Sequence, residues 1–241
     1  MKKNIIASLL LILLVIASSA RSQTPDEAQR YYNRALDKSK SGDYKGAVKD
    51  LNLAISKNPE FVEAFFNRGL NKSLLGDYKG AIKDYDYAVN IKLIYPEVYF
   101  NRGNAKRQLK DYTGAIKDYD RALEIKANYT EAYDNRGCAK DDLEDYTGAM
   151  QDHNKAIQLN PDYTEAYFNR GNTKFKLEDY RGALQDFNRV LQKYPEDTRT
   201  LKYRGLAKYS LGDKDGACLD WSKAGELGMF EIYDLIKERC K

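Results

Sequence analysis

A repeat of 34 residues constrains this chain more than any other feature of its sequence. The glycine of an Arg-Gly pair and the alanine of a Gly-Ala pair both recur at this interval. The glycine row is Gly69, Gly103, Gly137, Gly171 and Gly205, with Ala35 in the first copy. The alanine row is Ala47, Ala81, Ala115, Ala149, Ala183 and Ala217. Six copies in strict register predict a quasi-linear array of one supersecondary unit, where 241 residues alone would suggest one or two globular domains.

Each copy contains two helical patterns separated by a short turn. In the third copy, Tyr99, Gly103 and Ala105 belong to the first helix. Apolar residues then recur at helical spacing from Ala115 to Leu123 in the second helix. The copies begin near Ala28, Val62, Pro96, Thr130, Thr164 and Thr198. The pattern therefore predicts an all-α chain built from helix pairs.

An aspartate precedes every predicted second helix. The set is Asp43, Asp77, Asp111, Asp145, Asp179 and Asp213. A carboxylate at this position accepts hydrogen bonds from the free N–H groups of the first helical turn, and its charge suits the positive end of the helix dipole. We therefore expect each aspartate to cap its helix.

A large side chain, aromatic in most copies, follows four residues after each repeated alanine. The set is Leu51, Tyr85, Tyr119, His153, Phe187 and Trp221. Small residues combined with large ones are typical of closely packed helices, so we expect these side chains to fill the contact within each pair. His153 is the only histidine of the chain, and its place in this set predicts a packing role instead of a catalytic or metal-binding one.

Over residues 28–230 the repeat length, aromatic start, glycine and paired alanines resemble the tetratricopeptide repeat family. The resemblance implies a right-handed superhelical solenoid of six antiparallel helix pairs, with the first helices lining a concave groove. The chain then divides into a signal peptide (1–22), a lead-in (23–27), six repeats (28–229) and a C-terminal capping helix (230–241).

Two basic rows depart from the usual pattern of that family. Before the glycine position stand Arg34, Arg68, Arg102, Arg136, Arg170 and Arg204, and three residues after it stand Lys38, Lys72, Lys106, Lys140, Lys174 and Lys208. The second helices carry an equally regular row of Asp50, Asp84, Asp118, Asp152, Asp186 and Asp220. A partly buried arginine needs a partner, and its planar fork fits a carboxylate. We therefore predict a structural arginine–aspartate ladder along the stack.

The last copy is irregular, and a cap is expected after it. Gly225 is predicted to interrupt the second helix of this copy. The segment that follows is amphipathic and ends at Cys240, with apolar residues at Phe230, Tyr233, Leu235 and Ile236. It is expected to cover the exposed end of the final repeat, as repeat arrays require.

The three cysteines are too few and too widely spaced to predict a disulfide scaffold or a zinc site. Cys218 and Cys240 could form a disulfide if the tail folds back, and the alternative is that both are small core residues. Cys138 would remain outside that pair.

The first residues have the composition of an export signal. Two lysines precede an apolar stretch from Ile5 to Ala17, and small residues follow, with cleavage after either Ala20 or Ser22. The apolar stretch is too short to span a bilayer as a helix. Without residues 1–22 the net charge falls from +4 to +1, which does not favour nucleic-acid binding. We expect an exported protein, periplasmic or secreted, with no membrane span after cleavage.

No constellation in the sequence predicts an enzyme. A phosphate-binding glycine loop, a paired-cysteine motif and a histidine cluster are all missing. Most carboxylates recur once per copy, which assigns them to the scaffold. We therefore expect a non-enzymatic protein that needs no cofactor and no metal.

Residues that line the groove by the family resemblance are the candidates for ligand binding. They are Tyr32, Phe66, Asn67, Phe100, Asn101, Asn104, Arg107, Asp134, Asn135, Asp141, Phe168, Asn169, Asn172 and Phe175. Aromatic rings would be desolvated anchors, asparagines would bond a peptide backbone, and an acidic patch of Asp134, Asp141 and Asp142 would receive Lys or Arg. The predicted function is a protein–protein interaction scaffold of the bacterial cell envelope that binds a polypeptide segment in the groove.

Two alternatives stay open at the level of sequence. Tyrosine-rich grooves also stack sugars, so the alternative function is a glycan-binding or peptidoglycan-associated envelope protein. The aromatic residues of the groove could also serve only to pack neighbouring helices. The sequence leaves the partner's identity and the oligomeric state open.

Overall fold

The computed structural model describes residues 27–91 and 95–240, and its regular structure is entirely helical there. The predicted signal peptide and nearly all of the lead-in lie outside these ranges. In chain order the described helices form six pairs followed by one C-terminal helix, which confirms the predicted fold class. The chain divides into two compact units between Asp111 and Tyr112, and each is described by itself.

The first unit contains five described helices. They are α1 (27–40), α2 (Tyr44–Lys57), α3 (Val62–Leu74), α4 (Tyr78–Asn90) and α5 (Pro96–Gln108). Within this unit α2 packs against α3, α3 against α4 and α4 against α5, so neighbours in the chain are neighbours in space.

The second unit contains the remaining helices. They are α6 (Tyr112–Ile125), α7 (Thr130–Asp141), α8 (Tyr146–Leu159), α9 (Thr164–Lys176), α10 (Tyr180–Lys193), α11 (Thr198–Ser210), α12 (Lys214–Glu226) and α13 (Ile232–Arg239). The first helices α3, α5, α7, α9 and α11 begin at the residues that the repeat predicts. None of the described helices in either unit combines the length and apolar character needed to cross a membrane.

The predicted aspartate cap is confirmed at five of the turns between paired helices. Asp43, Asp77, Asp145, Asp179 and Asp213 each accept a hydrogen bond from the backbone N–H of the glycine three residues later, at 2.8–2.9 Å. The residue before each cap has a positive φ, and these residues are Gly42, Gly76, Lys110, Glu144, Glu178 and Gly212. Three of the six turns therefore hold a non-glycine residue in the left-handed region, where a Cβ is disfavoured.

The glycine row faces the large residues of the second helices. An added Cβ would lie 2.6 Å from the Tyr85 ring at Gly69, 2.7 Å from the Phe187 ring at Gly171 and 2.3 Å from Trp221 at Gly205. Tyr85, Phe187 and Trp221 are fully buried. The predicted packing of small against large residues is confirmed, because these rings occupy the space that a side chain on the first helix would need.

The arginine–aspartate ladder is present within both units. In each of five repeats, Nε and Nη2 of the arginine donate to the two carboxylate oxygens of the aspartate 16 residues later, at 2.5–2.9 Å. The pairs are Arg34–Asp50, Arg68–Asp84, Arg136–Asp152, Arg170–Asp186 and Arg204–Asp220. The lysine four residues after each of these arginines binds the same aspartate, at 2.7–2.9 Å.

The ladder also joins each repeat to the one before it, which the sequence had not indicated. Nη1 of the arginine donates to a side-chain oxygen 16 residues earlier, in the preceding second helix, at 2.6–2.8 Å. The acceptors are Asn52, Asp86, Asp120, Asn154 and Asn188, which are themselves 34 residues apart. Burial opposes the charge of Arg136, but its bonds to Asp152 and Asp120 outweigh that effect and raise its pKa. A charge buried with this many partners is a structural element of the stack.

The C-terminal end differs from the prediction in two details. The helix α12 continues through Gly225. A Cβ at this position would lie 2.8 Å from the Tyr233 ring, so the glycine leaves room for the cap. The buried residue of the cap is Ile232, at 1% exposure, whereas Phe230 is 76% exposed. The expected cap is thus present as α13, but it begins after Phe230 and uses a different apolar residue.

Cys218 of α12 and Cys240 at the end of α13 are joined in a disulfide, with their Cα atoms 5.8 Å apart. This bond ties the cap to the last repeat. Cys138 lies elsewhere in the second unit and is partly exposed.

Candidate functional site

The first helices of the second unit form a continuous row, because α9 contacts both α7 and α11. We call the side of these helices that bears the predicted ligand-binding residues the first-helix face. It contains Asn135, Asp141, Asn169, Asn172 and Phe175, and all five are half-buried. Side chains in this state have a contact surface left for a ligand.

The first unit has an equivalent set on its own first helices. The predicted residues there are Tyr32, Phe66, Asn67, Phe100, Asn101, Asn104 and Arg107, and all of them are half-buried. Of the aromatic members, Phe66 lies 6.0 Å from Tyr85 between ring centroids and Tyr32 lies 4.7 Å from Phe61. Their rings therefore serve packing on one side while part of each remains accessible.

Two predicted groove residues are placed differently from the expectation. Phe168 is only 4% exposed and packs among Phe187 and Tyr203, with the guanidinium of Arg199 lying 3.8 Å from its ring centroid. Asp134 is 0% exposed, so it does not contribute to an exposed acidic patch. Neighbouring side chains cover both residues, and sequence position alone gave no sign of that.

The asparagines of the first helices form hydrogen bonds within the fold. Nδ2 of Asn67 donates to Oη of Tyr32 and to the carbonyl of Glu63, both at 2.9 Å. Nδ2 of Asn169 donates to Oδ2 of Asp134 at 2.9 Å. Since an amide nitrogen has two protons, Asn67 already uses both in these bonds, and its carbonyl oxygen is the group that can serve a ligand.

Charged pairs also connect neighbouring first helices in the second unit. Nζ of Lys176 binds Oδ2 of Asp141 at 2.5 Å, 35 residues away. Arg199 forms a bidentate pair with Glu165 at 2.9 Å. Burial disfavours the charge of Lys176, but Asp141 outweighs that effect and raises the pKa of the ammonium group. The carboxylate of Asp141 is thus partly neutralised, which weakens the predicted acidic patch.

The fourth repeat contains a polar cluster that sequence spacing does not reveal. Oδ1 of Asp134 lies 2.7 Å from Nδ1 of His153, and both side chains are buried. Cys138 lies on α7, one turn after Asp134, and the potential ligand atoms of the three residues lie within 4.8 Å of one another. Burial and the nearby carboxylates of Asp134, Glu131 and Glu165 raise the pKa of the adjacent Tyr163 hydroxyl. His153 thus fills its predicted packing place and also bonds a carboxylate.

Sequence comparison identifies the repeat independently of the geometry. Models described as tetratricopeptide repeat match residues 32–92, 96–129 and 164–197, and a model described as TPR repeat matches residues 142–178. These segments together cover more than half of the chain. Among curated protein sequences, none matches this chain significantly.

Solved structures with the same fold cover most of this chain. A chain of the APC/C hetero-tetramer Cut9–Hcn1 is 16% identical and has a TM-score of 0.78, with 95% of this chain and 46% of that chain covered. PilF of Pseudomonas aeruginosa is 18% identical and has a TM-score of 0.74, with 90% and 99% covered. YrrB, a TPR protein with an unusual peptide-binding site, is 20% identical and has a TM-score of 0.63, with 76% and 95% covered. At these identities the likeness concerns the fold.

Proposed function

Since the chain belongs to the tetratricopeptide repeat family, we propose that it is a non-enzymatic scaffold that binds a polypeptide segment of a partner protein. The observation that carries this proposal is the first-helix face of the second unit, where the neighbouring helices α7 and α9 present half-buried amide side chains and α9 adds the half-buried ring of Phe175. A polypeptide has a backbone donor and acceptor at nearly every residue, and the face offers matching groups.

Asn172 and Phe175 are the residues of this face most suited to a ligand. Both are half-buried, and they lie one turn apart on α9. The Phe175 ring contacts Tyr180 at a centroid distance of 5.2 Å, which holds one side of the ring in place. A ring fixed on one side is a preorganised anchor, because little side-chain entropy is lost when a partner covers the other side.

The fold likeness adds support of a general kind. YrrB, whose structure shares this fold, is described as having a peptide-binding site. We further propose that this chain acts in the bacterial cell envelope, on the strength of the lysines and the apolar stretch near its start. Determining the N-terminus of the mature protein tests that location, and a retained Met1 in the mature protein would contradict it.

A site-specific photo-crosslinker distinguishes the ligand classes. Placed at Phe175, it is expected to capture a polypeptide from an extract of the source organism, identified by mass spectrometry. The matched control is the same crosslinker at Leu219 of the second helix α12, which is 71% exposed and lies outside the first-helix face. We expect no specific adduct there.

The other outcomes of this experiment contradict the proposal. A glycan adduct at Phe175 would favour the alternative of a glycan-binding envelope protein. Equal adducts at Phe175 and Leu219 would show that the first-helix face has no preference for a partner.

An Asn172→Ala variant that carries the crosslinker at Phe175 is expected to give less adduct with unchanged thermal unfolding, because an amide that bonds the partner is lost.

A further inference from the structure

The fourth repeat differs from the second and fifth repeats at two facing positions. In the second and fifth repeats these positions hold an aromatic pair, Phe66 with Tyr85 at 6.0 Å and Phe168 with Phe187 at 5.9 Å between centroids. In the fourth repeat the same positions hold Asp134 and His153. Two aromatic rings have thus been replaced together by two groups that can bind a metal ion.

The replacement lies inside the fold. Asp134 is 0% exposed and His153 is 1% exposed. Burying a carboxylate costs free energy unless it is compensated, and a phenylalanine pair would fill this space without that cost. The hydrogen bonds to His153 and Asn169 compensate part of the cost. A structural role alone does not require these residue types here, since other repeats solve the same packing problem with rings.

A third ligand-type residue completes the cluster. Cys138 follows Asp134 by four residues, so both side chains project from the same face of α7. The corresponding residues in the third and fifth copies are Asn104 and Asn172. The potential ligand atoms of Asp134, Cys138 and His153 all lie within 4.8 Å of one another, so small movements of these side chains bring them onto one tetrahedral ion with bonds of about 2.0–2.3 Å.

We propose that Asp134, Cys138 and His153 bind a divalent transition metal ion of the Zn²⁺ type. One thiolate, one imidazole and one carboxylate form the mixed sulfur, nitrogen and oxygen set that such ions prefer. On binding, the ion takes the place of the proton between Nδ1 of His153 and Asp134; that proton passes to solvent while Nε2 carries the one proton of the neutral imidazole, and the Cys138 thiol also releases its proton to solvent. The two negative charges of the carboxylate and the thiolate balance the charge of the ion, so the buried site is neutral as a whole.

The surroundings of the cluster fit this assignment. Asn169 donates to the second oxygen of Asp134 at 2.9 Å and so orients the carboxylate, which is a common feature of the outer shell of metal sites. Cys138 is the partly exposed member and gives an ion access from solvent. Three protein ligands leave one position of a tetrahedral ion for water.

Titration of the full protein with Co²⁺ tests the proposal. We expect one equivalent to bind with a thiolate-to-cobalt charge-transfer absorption that Zn²⁺ then abolishes. The chain has three cysteines, and Cys218 and Cys240 are joined in a disulfide, so this signal can come only from Cys138. The expected absorption therefore reports the site directly.

The other repeats supply matched control variants. Cys138→Asn introduces the residue of the third and fifth copies, and Asp134→Phe with His153→Phe rebuilds the ring pair of the fifth repeat. Each variant is expected to abolish the charge-transfer absorption or to weaken Co²⁺ binding at least about tenfold. Thermal unfolding verifies that each variant is folded. Should the double variant fail to fold, Cys138→Asn alone decides, because residue 138 is half-buried and polar residues occupy its place in other copies.

Two results would overturn the site. One is a wild-type protein that gives no thiolate-to-cobalt absorption at millimolar Co²⁺. The other is equal affinity of the wild type and Cys138→Asn for Co²⁺ and Zn²⁺, which would mean that the ions bind only surface carboxylates.

Discussion

At the scale of single residues, the glycine row and the large-residue row of this chain act as one packing device. The first copy fills the same contact with a different pair of residues, since Ala35 and Leu51 pack there in one buried cluster. A branched aliphatic side chain leaves room for the alanine Cβ, whereas a ring does not. The residue types at the two positions therefore depend on each other, although they lie 16 residues apart.

The substitution Gly171→Ala tests this dependence. Its Cβ would lie 2.7 Å from Cε1 of Phe187, so we expect the free energy of unfolding to fall by about 1–3 kcal/mol in urea denaturation. Adding Phe187→Leu rebuilds the pair of the first copy and is expected to give a smaller loss than the sum of the two single changes. Additive losses would mean that the ring does not set the requirement for glycine.

At the scale of the helix pair, the turn before the second helix uses the same backbone conformation in all six copies with different residues. Gly42, Gly76 and Gly212 adopt their positive φ without a Cβ, and each has no heavy atom within 4 Å of where one would be. Lys110, Glu144 and Glu178 adopt φ of 60–64° with a side chain, which is strained for an L-residue. The helix cap that follows fixes the turn and outweighs this strain.

Replacing the strained residue should therefore stabilise the protein. For Glu178→Gly we expect the free energy of unfolding to rise by about 0.5–1 kcal/mol, since the relief of left-handed strain exceeds the entropic cost of a glycine. Thermal and urea unfolding measure the change. The reverse substitution, Gly76→Ala, is the control and should destabilise by a similar amount. The alanine Cβ is disfavoured at this positive φ, although no heavy atom lies within 4 Å of it. A destabilised Glu178→Gly variant would contradict this account.

The helix boundaries followed from the sequence because six aligned copies average out local ambiguity. Gly225 shows where such averaging fails. A glycine inside a helix costs about 1 kcal/mol relative to alanine, which made an interruption the natural prediction. The contact of Gly225 with Tyr233 reverses that preference, and only the packing of α13 against α12 reveals it.

At the scale of the whole molecule, each repeat is attached mainly to its neighbours, so the terminal repeat depends on its cap. Here α13 covers the last pair through the buried Ile232, and the disulfide between Cys218 and Cys240 holds it there. The bond closes a segment with a sequence separation of 22, which restricts the unfolded chain.

Removing that bond should loosen the C-terminal end first. We expect the double variant Cys218→Ser with Cys240→Ser to lose about 3 kcal/mol of unfolding free energy, and a reductant to lower the wild type to the same level. Thermal unfolding with and without reductant measures both effects. The double variant serves as the control, because a reductant should leave its unfolding unchanged. A wild type that is insensitive to reductant would show that packing alone retains the cap.

The sequence by itself determined most of what recurs, although the bonds that join each repeat to the one before it also recur and only the structure shows them. The 34-residue period, the helix pairs, the aspartate caps and the arginine–aspartate pairs are each written six times, and partners 16 residues apart in a helix pair have only one way to meet. The export signal is not repeated and lies outside the described residues, so it stays a prediction.

Only the tertiary structure decided what happens at the residues that do not recur. Asp134, Cys138 and His153 come from two helices, and neither their spacing nor the average copy indicates that they meet. The burial of Phe168 likewise depends on Tyr203 and Arg199 of the next repeat. Periodicity describes what all copies share, whereas contacts between unlike side chains depend on how neighbouring helices pack, and that packing is settled in three dimensions.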